Sequence, residues 1–240
     1  MTDLQGDLNL TDPTKGYLHF VVYTEQRLGI ASASRNGEVT IRKESPYARE
    51  WLDRLERCKP NALHCMLVEP TKIPALFDPC VKEDKDSPSA VRGSGCVCQR
   101  PFYDPVFGLP VVGDHFKHVG DGGTDEWTYE TFAPLALLPG DRVSRFMVDY
   151  GVFWVRSEKG VLSLLPQRHG SGYNIGYGGG GPHALAAYLS QIAATDGENT
   201  VAGTPYEKAA PGILAWTESP AAERGTNELT LRDLKAMQRS

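Results

Sequence analysis

Several features that would assign a function outright are missing from this 240-residue chain. No window approaches the roughly 18 consecutive apolar residues of a membrane helix. Positive charge is not in excess: 25 Lys and Arg against 30 Asp and Glu give a formal net charge of −5. That balance works against a charge-driven grip on nucleic acid or on an anionic membrane. The opening residues, MTDLQGDLNLTDPTKG, lack the basic-then-apolar pattern of a secretory signal, so a cytoplasmic location is expected. Cysteine is sparse. Cys58, Cys65, Cys80, Cys96 and Cys98 make an odd number, which speaks for reduced thiols rather than a disulfide framework. Also missing are a phosphate loop ending in Lys-Ser or Lys-Thr, a dinucleotide fingerprint and a G-x-S-x-G nucleophile elbow.

What is there reads as a folded chain, since 40% hydrophobic and 23% charged residues are ordinary globular values. YLHFVVY (17–23) has strand length. GIASASR (29–35) and EVTIRK (38–43) flank Asn36-Gly37, the dipeptide of a tight hairpin. In SPYAREWLDRLER (45–57) Ser45 is placed to cap a helix with Pro46 in its first turn. Tyr47, Trp51, Leu52 and Leu55 share a face of that helix and are expected to pack on the preceding sheet. ALHCMLV (62–68) reads as a buried strand. From Pro70 to Pro110, recurrent prolines, the cluster KEDKD and GSGC predict a long irregular segment, which GDHFKHVGDGGTDEW (113–127) continues. VSRFMVDYGVFWVRSEKGVLSLLP (143–166) predicts an antiparallel meander. A helix is expected over 183–194, and a last one over 230–238 capped by Thr230. Strands and helices come in runs, so the fold class is α+β: antiparallel sheets, hairpin and meander, with a few packed helices. The expected division is an N-terminal α+β lobe (16–70), an irregular Pro/Gly-rich segment (71–130), and a C-terminal part (131–240) holding the meander, a glycine-rich loop and helices.

The densest feature is GSGYNIGYGGGGPHALAAYL (170–189), with seven glycines in residues 170–181. Two readings compete. Bare backbone at Gly178, Gly179, Gly180 and Gly181, followed by Pro182 and a helix, offers unpaired N–H groups and a partial positive charge to a phosphate or carboxylate. Tyr177 and His183 would add side-chain contacts. Alternatively, the glycines let the chain turn sharply into a closely packed helix. YNIGYGGGGPHALAAYL resembles the GYGGSGP signature and following Ala/Leu-rich helix of a small uncharacterised domain of phage, plasmid and actinobacterial proteins. The likeness covers about 25 residues, and Ile175 stands where that family tends to show tryptophan. It implies a phage or mobile-element setting and no particular reaction.

Other constellations carry chemistry. Cys96, Cys98, His115 and His118 could close a tetrahedral structural zinc site, although a single residue between the cysteines is tighter than usual. Asp121, Asp125 and Glu126 near His118 could bind a hard metal or act as acid and base, or form a solvated turn. Ser171 has no recognisable catalytic partner, while His169 and His183 bracket the glycine loop. Arg142, Arg145, Arg156 and Arg168 beside Phe146, Tyr150, Phe153 and Trp154 fit single-strand stacking; alternation in VFWVR equally describes a half-buried strand. The reading that follows is a non-enzymatic binder of a nucleotide or other phosphorylated ligand, with nucleic acid not favoured and no membrane. Its rivals are an enzyme using a loop histidine as acid and base, and an interaction module in which the glycine turn is architectural.

Overall fold

A computed structural model describes residues 38–42, 45–68, 90–91, 95–118, 123–149, 151–167, 172–198 and 208–239. In chain order the first elements are β1 (Glu38–Arg42), α1 (Pro46–Leu52), β2 (Glu56–Arg57), a 3-10 turn (His64–Met66) and β3 (Ala90–Val91). Four longer strands and two short ones follow: β4 (Gly95–Asp104), β5 (Leu109–His118), β6 (Thr124–Phe132), β7 (Val143–Asp149), β8 (Val152–Ser157) and β9 (Leu162–Leu164). The chain ends with α2 (Gly180–Ala194), α3 (Pro211–Glu218), α4 (Pro220–Glu223), β10 (Asn227–Thr230) and α5 (Leu231–Gln238). Two antiparallel sheets with helices make the fold α+β, as expected. The Asn36-Gly37 turn lies outside the described residues, so of that hairpin only β1 is seen.

The described residues form two compact units, one within Leu55–Glu130 and the other within Tyr23–Arg54 and Thr131–Ser240. In the first, the strand order is β6-β5-β4-β2, with β3 also pairing β4. The segment expected to be irregular therefore holds the longest strands. β4 and β5 run in unbroken register from Cys96 opposite Lys117 to Asp104 opposite Leu109. Asp104 closes the hairpin: its carboxylate accepts the Val106 N–H (3.0 Å) and its carbonyl the Gly108 N–H (2.7 Å). Gly113 belongs in mid-strand because a Cβ there would lie 3.1 Å from ring carbons of both Phe102 and Tyr129. The missing side chain lets rings from the two flanking strands lean together across β5. Residues 62–68 do not form the expected strand. Asn61 Oδ1 accepts the Leu63 N–H (2.9 Å) and turns the chain into the 3-10 segment, with His64 buried.

The second unit is built on the sheet β10-β7-β8-β9. Alternation along β7 and β8 sends Phe146, Val148 and Val155 into a core with Leu185, Leu189 and Ile192 of α2, Ile213 of α3 and Leu234 of α5. On the opposite face Trp154 meets Trp51 of α1, ring centroids 6.2 Å apart. Thus α1 packs on the later meander, while most of the hairpin that precedes it lies outside the described residues. Its start follows the sequence: Ser45 Oγ accepts the Ala48 N–H (3.2 Å) and Pro46 occupies the first turn. Polar contacts hold its flank, with Glu50 bidentate to Arg156 (2.7 and 2.8 Å) and Arg54 donating to the Leu162 carbonyl. α5 carries a full capping box, Thr230 Oγ accepting the Asp233 N–H while Asp233 accepts the Thr230 N–H.

Candidate functional sites

At the entry to α2 the glycines divide by role. Gly176 has φ +93°, and its N–H donates to the Thr217 carbonyl at 2.8 Å. A Cβ there would stand 2.5 Å from Glu223 Oε2, so the turn is packed against α4. At Gly181 a Cβ would sit 2.6 Å from Asn174 Cβ and 3.2 Å from its backbone nitrogen. At Gly179 the Tyr177 ring stands in the way, with its nearest carbon 2.6 Å from the Cβ position. Gly180 is different: nothing lies within 4 Å of its Cβ position. Gly178 is nearly so, meeting only Glu218 Oε1 at 3.8 Å. Packing thus accounts for Gly176 and Gly181, and leaves Gly178 and Gly180 facing open space.

α2 itself begins bare. Gly179 holds the cap position in extended backbone (φ 176°, ψ −178°), with no side chain bonded to the cap, and its carbonyl accepts the His183 N–H at 3.1 Å. His183 is exposed, and Tyr177 is 49% exposed. Amides at the start of a fifteen-residue helix therefore meet solvent beside two side-chain donors. Two carboxylates stand close by: Glu218 Oε1 lies 3.8 Å from the Cβ position of Gly178, and Glu223 Oε2 lies 2.5 Å from that of Gly176. His169 and Ser171 lie outside the described residues.

In the first unit the register of β4 against β5 puts Cys98 opposite His115. Cys98 Sγ lies 3.7 Å from His115 Nδ1, and the other ring nitrogen, Nε2, lies 2.8 Å from Asp125 Oδ1. Asp125 Oδ2 also accepts from Lys117 Nζ at 3.3 Å. Trp127 stacks on the His115 ring (centroids 4.3 Å apart, 10° between planes), and the Arg100 guanidinium lies 5.1 Å from the Trp127 centroid. Cys98 is wholly buried and His115 is 1% exposed, whereas Asp125 is 40% exposed. A carboxylate at Nε2 takes the proton-bearing nitrogen and leaves the Nδ1 lone pair toward the thiol.

Of the four residues considered for zinc, the structure brings Cys98 and His115 together. His118, three residues further along β5, faces the opposite side and is exposed, and the backbone of Cys96 pairs with Lys117. Cys98 and Asp125 occupy opposite nitrogens of one imidazole, so they cannot share an ion through it. Among the described residues no group of three or more His, Cys, Asp or Glu is placed to hold a metal. Asp125 pairs with His115 rather than with His118; Glu126 is exposed and Asp121 lies outside the described residues.

A second thiol–imidazole contact, which sequence reasoning passed over, joins Cys58 Sγ to His64 Nε2 at 3.6 Å. The same Nε2 lies 2.7 Å from the Phe102 carbonyl, and the Asn61 N–H reaches Nδ1 at 3.2 Å. Burial holds the His64 imidazole below its ordinary pKa, opposed by the bond to Phe102, and burial pushes the Cys58 thiol up. The clue in the sequence was Asn61, three residues before His64.

The arginine-and-aromatic candidates on the meander are otherwise engaged. Phe146 and Trp154 are fully buried. Arg142 pairs with Glu198 (2.7 Å), Arg145 with Glu228, and Arg156 with Glu50 (2.7 Å). Rings inside a core present no face for a base to stack on. Tyr150 and Arg168 lie outside the described residues. Comparison of the chain with protein-family models, with curated proteins and with solved structures finds no match.

Proposed function

We infer that the second unit binds a small phosphorylated ligand of the nucleotide type at the entry to α2, in a regulatory role without catalysis. The observation that carries this reading is the bare helix start: an uncapped Gly179 and a Gly180 whose Cβ position meets nothing within 4 Å. A phosphate oxygen can approach such amides closely, with Tyr177 and His183 as flanking donors. Accessibility favours this surface over the buried Cys98 cluster as the place where a ligand of that size binds.

Glu218 and Glu223 narrow the chemistry. A bare phosphate dianion would meet their negative charge, whereas a nucleotide carrying a divalent cation would offer its oxygens to the amides and its cation to a carboxylate. In this reading the ion arrives with the nucleotide. The likeness of this segment to the GYGGSGP-signature domain supports a phage or mobile-element setting.

Isothermal titration of the whole protein with ATP and magnesium, ATP and EDTA, and inorganic phosphate tests the reading. The expected result is heat only with the magnesium complex, ATP recovered unaltered, and loss of binding in Gly180→Val with its melting curve retained. Absence of binding under all three conditions, or normal binding by a folded Gly180→Val, overturns it.

A further inference from the structure

The first unit holds two thiol–imidazole contacts, and they differ in whether the ring can take a proton from sulfur. At Cys58 the near nitrogen of His64 is the one facing the Phe102 carbonyl at 2.7 Å. That carbonyl has only lone pairs, so Nε2 must carry the hydrogen, while Nδ1 faces Asn61, with its N–H at 3.2 Å and its Oδ1 at 3.0 Å. His64 therefore presents no basic nitrogen to Cys58. At Cys98 the order is reversed. Asp125 accepts from the far nitrogen of His115 at 2.8 Å, and the basic nitrogen faces the thiol at 3.7 Å. A proton moved from Cys98 to Nδ1 would create an imidazolium already paired with a carboxylate. Trp127, stacked at 4.3 Å, fixes the plane of the ring.

We propose that Cys98 is a peroxide-reactive thiol, with His115 as its base and Asp125 as a positioning residue. The S–H proton passes to His115 Nδ1, and the sulfur attacks one oxygen of a hydroperoxide. The O–O bond breaks, and the departing oxygen takes the proton from His115 and leaves as water or an alcohol. Sulfur gives up two electrons and becomes a sulfenic acid, while the peroxide is reduced by the same two. Complete burial of Cys98 selects the co-reactant. A small uncharged oxidant can penetrate by local opening, whereas a bulky disulfide or a charged electrophile is shut out. The side chain of Asp125, at 40% exposure, links the buried ring to solvent.

Burial alone predicts the opposite order of reactivity, because Cys58 and Cys65 are partly exposed. The folded wild-type protein is exposed to hydrogen peroxide for graded times, quenched with catalase, then unfolded in dimedone and digested. Mass spectrometry reads the oxidised fraction at each cysteine. Cys98 should oxidise faster than Cys58 and Cys65 by about tenfold or more, since a positioned base contributes at least that much. Asp125→Asn, a near-isosteric change at a partly exposed site, should slow Cys98 about tenfold and alter the pH profile of its rate, leaving Cys58 unchanged. Cys98 reacting no faster than Cys58 in the wild type overturns the proposal without any variant. An unchanged rate and pH profile in Asp125→Asn overturns the role of the relay.

Discussion

Three glycines within six residues of the α2 entry should respond to alanine in three different ways. At Gly180 the new methyl meets nothing within 4 Å, and the backbone dihedral is not in the left-handed region. Alanine there should be neutral or stabilising by up to about 1 kcal/mol, through reduced chain entropy in the unfolded state. At Gly181 the methyl would sit 2.6 Å from Asn174 Cβ, with backbone nitrogen at 3.2 Å behind it. Asn174 must shift, at a cost of about 1–3 kcal/mol, only partly offset by the gain in helix propensity. At Gly176 two penalties add. A φ of +93° is poor for any L side chain, and the Cβ would come within 2.9 Å of Glu223 Cβ. Strain alone costs about 1–3 kcal/mol, and the contact raises it further.

The expected order of stability is therefore Gly180→Ala at or above wild type, then Gly181→Ala, then Gly176→Ala. Urea unfolding followed by tryptophan fluorescence resolves it, because Trp216 packs edge-on to Phe146 at 6.1 Å in the core of this unit. A loss of about 2 kcal/mol moves the midpoint by about 1 M at ordinary m-values. If Gly180→Ala proves as damaging as Gly176→Ala, the glycines are not sorted by packing. The same series bears on function, since a harmless Gly180→Ala leaves the larger Gly180→Val as a clean probe of ligand approach.

Three further substitutions probe the frame. His64 is held neutral in the folded state, so the unfolded chain binds a proton more readily. Its contribution to stability is complete above the unfolded pKa near 6.5 and is lost as pH falls through that value toward the lowered folded one. His64→Gln should therefore flatten the decline in urea midpoint between about pH 7.5 and 5.5; an unchanged slope would show that His64 does not drive it. On α1, Trp51→Ala should cost about 3–5 kcal/mol, because Trp51 is 2% exposed against Trp154. Glu50→Gln should cost under about 1 kcal/mol despite its bidentate bond to Arg156, since the pair faces solvent. Comparable losses in the two variants, measured by denaturant titration, would show that α1 is held by charge rather than by packing.

The elements legible in the sequence are those whose signals are local. Ser45-Pro46 starts α1 and Thr230 starts α5 through bonds spanning three residues. The meander over 143–166 announces itself by alternation and short turns, and appears as β7, β8 and β9. β4 and β5 were hidden because Pro101, Gly113 and Pro110 carry loop signals in residues that long-range pairing holds extended. Residues 62–68 misled in the other direction. A short apolar run looks the same as strand or buried turn, and Asn61 decided the matter with a side-chain bond. The fifteen-residue α2 was legible, but its three-residue earlier start at Gly180 was not, because glycine propensity argues against it.

The candidate sites divide along the same line. The glycine entry is contiguous in sequence and could be found by reading; what reading could not supply is that Glu218 and Glu223, some 40 residues later, stand beside it. The Cys98 cluster draws on three strands, and its chemistry depends on register. Cys98 faces His115 because β4 and β5 pair at those positions. A slip of one residue would carry Cys98 to the other face of the sheet and break the contact. Nor does the presence of a histidine beside a cysteine settle what the pair can do. Both pairs in this unit have sulfur within 4 Å of a ring nitrogen. The group at that nitrogen or across the ring, a backbone carbonyl for His64 and a carboxylate for His115, determines which nitrogen keeps its hydrogen. The backbone of Phe102, 38 residues from His64, thereby denies Cys58 a base, while Asp125 supplies one to Cys98.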